Sequence, residues 1–201
     1  MLKPSRKILR KEIKKDPFLE TVEKIENGFE ENRKTIINVL IFFVAITVIG
    51  SIYKNNQNEI ELESISAFGA ALVAYSNADY DNAKFQFESI SSTYGGTKGE
   101  ILANYYLGKI AYEKNNFNES ERLFNYFLDK TKNSILVCGA IRHLVDISHQ
   151  RENFSKSFEI INRAKKFRLN TLSTLEMKIL EINSFFKLND LKSAQSEIIK
   201  I

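Results

Sequence analysis

Cysteine is nearly absent. Cys138 stands alone in 201 residues, which excludes an internal disulfide and a zinc site built on cysteines. It sits in the apolar run "ILVCGAIRHL", where a small buried hydrophobe is its expected role. The only histidines, His143 and His149, are separated by about 600° of helical rotation. They share no helical face and have no partner at ligand spacing, so no metal is expected. "YGGTKGE" lacks both the spacing and the strand–loop–helix setting of a phosphate loop, and no serine is matched to a base and an orienting acid. No catalytic residue, cofactor or metal is therefore expected, and the chain does not read as an enzyme. Two prolines, eight glycines and no tryptophan suit long helices better than strands and turns.

The composition, 43% hydrophobic and 27% charged, belongs to a globular protein. The net charge of +4 is unevenly placed. Residues 1–15 hold Lys3, Arg6, Lys7, Arg10, Lys11, Lys14 and Lys15 against the single acid Glu12. From Lys54 onward 19 basic residues face 18 acidic ones. A nucleic-acid binder would carry a basic face on its folded part, so no nucleic-acid partner is expected.

Residues 36–53, "IINVLIFFVAITVIGSIY", form 18 uncharged positions between Arg33–Lys34 and Lys54. As a helix they cover about 27 Å, close to the hydrocarbon thickness of a bilayer. A cleaved signal peptide fits poorly, because seven acids precede the run and no A-x-A-like site follows it. An uncleaved signal anchor is expected. Ten Lys/Arg precede it, which places residues 1–35 in the cytoplasm and 54–201 outside it. In a bacterium this means the inner membrane, single-pass, with the folded part in the periplasm. Within the cytoplasmic segment, Phe18, Val22, Ile25 and Phe29 share one helical face. A short amphipathic helix there suits either the anionic inner leaflet or a docking partner.

The folded part repeats. "ADYDNA", "NNFNES", "ENFSKS" and "NDLKSA" align on Tyr80, Phe117, Phe154 and Leu191, each 37 residues apart. The residue before is Asp79, Asn116, Asn153 or Asp190, a helix-capping type. Three residues after the centre stands Ala83, Ser120, Ser157 or Ala194, always small. Seven after it stands Phe87, Phe124, Ile161 or Ile198, always large and apolar. A helical run precedes each phrase, as at 101–115 and 138–152. The unit is a helix–turn–helix hairpin, and four hairpins stack to share a core. "STYGGTKG" (92–99) and "DKTKNS" (129–134) read as linkers between units.

"LANYYLGKIAYEKNNFNESERLFNYFL" resembles a tetratricopeptide repeat, with Leu107–Gly108 in the first helix, the turn at Asn116–Phe117, and Ser120, Phe124 and Phe127 in the second. That family's period is 34, three fewer than here. The resemblance covers 60–201 and implies an all-α solenoid of about four repeats following the transmembrane helix. A basic cytoplasmic N-terminus, one span and a repeat domain with "YGGT" between its first two hairpins are also similar to the YfgM-like family of ancillary Sec translocon subunits. That likeness implies a scaffold or chaperone-like accessory beside the export channel, with translocon subunits, periplasmic chaperones or exported chains as partners. A structural scaffold of envelope assembly or division, with no role in export, is the alternative.

Partner-binding positions should repeat at 37 on the inner, concave face of the first helices. One column reads Tyr75, Tyr112, His149 and Phe186. A second reads Phe68, Tyr105, Arg142 and Ile179, and Leu72, Lys109, Asp146 and Asn183 lie between. These rings serve either as anchors for an extended peptide or partner helix or as packing between hairpins. Finally, "SEIIKI" ends the last unit on apolar residues. An incompletely covered apolar edge is expected there, suited to a homodimer or a docked partner.

Overall fold

A computed structural model describes residues 17–131 and 134–200, except for the side chains of 17–20, 23–28 and 31. The basic stretch at 1–15, the side chains of Phe18 and Ile25, and Ile201 lie outside that description. Among the described residues every regular element is helical.

Helix α1 (Pro17–Ser76) runs unbroken where the sequence suggests a short amphipathic helix followed by a separate span. Pro17 suits a first helical position, no later proline occurs in α1, and the polar stretch "KNNQNE" carries no breaker. Packing divides the chain after Asn55. Before that point lies a stretch long and apolar enough to cross a bilayer, with a mean hydropathy of 2.5 in its most apolar window and no part of that window buried.

From Asn56 onward the fold is a stack of four helical hairpins. The end of α1 pairs with α2 (Tyr80–Thr93), and α3 (Lys98–Glu113) with α4 (Phe117–Lys130). Helix α5 (Val137–Gln150) pairs with α6 (Phe154–Arg163), which ends in a 3-10 turn at Ala164–Lys166. Helix α7 (Thr171–Lys187) pairs with α8 (Leu191–Ile198). The first linker is shorter than the sequence suggests, because α2 runs through Thr93 and α3 opens at Lys98, and the second begins later, because α4 runs through Lys130.

Each turn uses the same chemistry. The carboxylate or amide oxygen of Asp79, Asn116, Asn153 and Asp190 accepts a backbone N–H three residues on, capping α2, α4, α6 and α8. The residue before each cap is left-handed: φ is 61° at Ala78, 57° at Asn115, 56° at Glu152 and 59° at Asn189. Two backbone bonds close each preceding helix, as where Asn115 N–H reaches the Tyr112 carbonyl and Asn116 N–H that of Ala111, both at 2.9 Å. This is the Schellman pattern, and its last residue doubles as the cap of the next helix. The 37-residue ruler is therefore a turn repeated four times.

The small column is fully buried in every hairpin: Ala83, Ser120, Ser157 and Ala194 are each 0% exposed. Ser120 Oγ donates to the Gly108 carbonyl at 2.9 Å. A Cβ on Gly108 would sit 3.1 Å from the Phe124 ring, so the helices meet there at close range. Phe87 and Phe124 are 0% exposed, each contributing about 2–3 kcal/mol by burial. Ile161 is also buried, whereas Ile198 is half exposed. One core cluster joins the first two hairpins through Phe68, Phe87 and Leu107. A second joins the later three through Phe124, Ile141 and Leu180.

Candidate partner-binding site

The first helices of the hairpins, the last third of α1 with α3, α5 and α7, stand side by side and form one face of the repeat domain. The column Tyr75, Tyr112 and His149 is half-buried along it. Each of these rings packs on the residue that opens the second helix of its own hairpin. The centroids lie 5.3 Å apart for Tyr75–Tyr80, 5.7 Å for Tyr112–Phe117 and 5.6 Å for His149–Phe154. Each also meets the following hairpin. Tyr106 lies 5.0 Å from Tyr75, His143 lies 4.6 Å from Tyr112, and His149 Nε2 is 3.1 Å from Ser184 Oγ. One side of each ring thus braces a turn and a joint, and the other side is open. Phe186, the fourth member, is 50% exposed.

The second column divides. Phe68 and Tyr105 are buried at 9% and 6%, which corrects their placement on the partner face. Phe68 packs on Phe87 and Tyr106 at 5.8 and 5.6 Å. Tyr105 packs on Phe127 at 5.1 Å, and its hydroxyl fills the place a Cβ on Gly139 would take. Burial raises its phenol to about 12. The room left by Gly139 draws this ring inward, a pairing that the repeat column does not reveal. Arg142 and Ile179, in the same column, are exposed, and Arg142 pairs with Glu176.

Between the columns, Lys109 Nζ stands 5.0 Å from the Tyr75 ring centre and 5.4 Å from that of Tyr106, a cation–π arrangement. Asp146 is half-buried, and burial raises its carboxyl while Arg142 pulls the other way. Burial raises the Tyr112 phenol, with Asp146 and Glu113 adding to the effect. Leu72 is half-buried and Asn183 exposed. A cavity of about 370 Å3 opens at the first joint, lined by Tyr75, Tyr80, Ile110, Glu113 and Lys114.

The sequence pattern missed two rings here, Tyr106 and His143. Both fall in the column one residue after Phe68 and Tyr105, so the 37-residue period could have found them. His143 stacks on Phe124 at 5.0 Å and 7°, and its Nδ1 is buried without a hydrogen-bond partner among the described residues. Burial, reinforced by Lys109 and Arg142, lowers it to about 4, so it stays neutral at physiological pH. Burial also lowers His149. No group of three or more His, Cys, Asp or Glu suited to a metal occurs among the described residues. The arrangement offers aromatic edges, the cations Lys109 and Arg142 and the carboxylate Asp146 along one face.

No curated protein matches the chain. A family model, described as a tetratricopeptide repeat-like domain, matches residues 28–173, through the third hairpin. The chain belongs to the tetratricopeptide repeat-like domain family, whose members are protein-interaction modules.

Proposed function

We propose that the protein is a membrane-anchored interaction module, with residues 36–53 as its single span, its N-terminus in the cytoplasm and its hairpins in the periplasm. The face of Tyr75, Lys109, Tyr112, Arg142, Asp146, His149, Asn183 and Phe186 holds an extended peptide or partner helix. The observation that carries this reading is the row of rings packed on one side and open on the other, beside the cavity at Tyr75 and Tyr80. Rings already ordered by a turn lose little freedom when a partner arrives. The similarity to the YfgM-like family points to a translocon accessory that holds an emerging chain or a chaperone. Photo-crosslinkers at Tyr112 and Arg142 in cells test this. Capture of channel subunits or their clients supports it, and capture of division or envelope-assembly factors alone overturns the export role. Ile198 and Ile199, 50% and 78% exposed on the last hairpin, favour a second contact there, with another copy as the simplest occupant. A strictly monomeric chain in detergent would remove that contact.

A further inference from the structure

Beyond the first-helix face, the hairpins have two edges, separated by about 20 Å of helix at 1.5 Å per residue. The turns lie on one edge. The linkers lie on the other, where first helices begin and second helices end. Their charges differ. On the linker edge Lys130, Lys165, Lys166 and Arg168 are exposed and join no ion pair among the described residues. Two nearby acids are already engaged, Asp129 by Arg163 and Glu61 by Lys98. The turn edge mixes signs, with Asp79, Asp81 and Glu152 beside Lys114 and Arg151. The linker edge also carries Leu172, 74% exposed, and Ile135, 79% exposed, one repeat apart in the same column. A cavity of about 470 Å3 is lined by Phe167, Leu169 and Met177 together with Lys165, Arg168, Lys178 and Glu181.

We propose that this linker edge rests on an anionic bilayer leaflet. Leu172 and Ile135 enter the headgroup–acyl boundary, and Lys130, Lys165, Lys166 and Arg168 face lipid phosphates. Large aliphatic side chains interleaved with unpaired cations match an interfacial surface. The inference rests on reading residues 36–53 as a span. The Glu61 carboxylate accepts the Lys98 backbone N–H at 3.1 Å on this edge.

The chain has no tryptophan, so single reporters can be placed cleanly in the full-length protein. L172W reports the linker edge, L191W the turn edge, where Leu191 is 59% exposed, and F43W the apolar run. In proteoliposomes containing phosphatidylglycerol, lipids brominated near the headgroup should quench L172W by about half and leave L191W nearly unchanged. Replacing phosphatidylglycerol with phosphatidylcholine, or adding K165E, K166E and R168E, should reduce L172W quenching about twofold or more. If L172W is quenched no more than L191W in vesicles where deep-brominated lipids quench F43W, the edge does not touch the bilayer, although the span stands. If F43W itself is not quenched, the span reading fails and this proposal falls with it.

Discussion

Replacing Gly99 with alanine should destabilise the repeat domain more than any other single methyl group. A Cβ at that position would sit 2.4 Å from the Ser64 carbonyl oxygen and 2.5 Å from its carbon. Those are backbone atoms of α1, and no flexible side chain can yield. The first turn of α3 is also fixed there by Thr97, whose side chain accepts the Glu100 N–H, and by the Glu61–Lys98 contact. Relief therefore requires α1 and α3 to separate, opening the core around Phe68 and Phe87. Overpacking of this kind costs about 1–3 kcal/mol, and the upper end applies because both partners are backbone. Alanine's better helix propensity returns at most about 1 kcal/mol. The net expectation is a loss of about 2 kcal/mol, read by guanidinium unfolding of the full chain in detergent followed by circular dichroism. Gly95 is the control, since nothing lies within 4 Å of its Cβ position. If Gly99→Ala unfolds at the same midpoint as wild type, the contact between Ser64 and α3 is not as described.

Ala78 sits at φ 61°, a conformation that burdens L-residues by about 1–2 kcal/mol. Part of that gain is offset in the unfolded chain, so Ala78→Gly should raise stability by about 0.5–1 kcal/mol. Asn115→Gly should gain less, because asparagine tolerates this region; thermal melts compare the two. His143 has its folded-state value lowered to about 4 against about 6.5 unfolded. Its contribution is complete above pH 6.5 and is lost as pH falls toward 4. After allowance for partial exposure, that amounts to about 1–2 kcal/mol. His143→Phe should flatten the dependence between pH 6.5 and 5, and an unchanged profile would refute the assignment. Burial alone would raise the Glu121 carboxyl, but Lys156 and Arg151 hold it below the usual carboxylate range, so its contribution is present above that range and is lost only as pH falls through it. Glu121→Ala should therefore leave the window between pH 6.5 and 5 intact in the same melts.

The turns were legible in sequence because their chemistry is local: a capping oxygen, a small residue and a large one, all within nine positions. The burial of the second column was not, because it depends on a residue in another hairpin. Tyr105 is buried through the space at Gly139, whereas Arg142, one repeat later, is held out by Glu176. The interior role of Glu100 gave no sign either. It is 3% exposed and takes hydrogen bonds from Asn104 and Tyr126, so a charged residue reads as surface while its partners make it core. His143 and Tyr106 were hidden for a simpler reason. One residue is 100° of helix, and Tyr106 and His143 stand one position after the column of Tyr105 and Arg142.

The proposed site of partner binding is the face of the first helices. Photo-crosslinkers at Arg142 and Asn183 on that face, and at Phe85 and Ser92 on the exposed surface of α2, measure it directly in cells. Arg142 and Asn183 should capture a common protein at about tenfold the yield from Phe85 and Ser92, the ratio expected of a contact against a non-contact. Equal capture from both pairs, or capture from α2 alone, would contradict it.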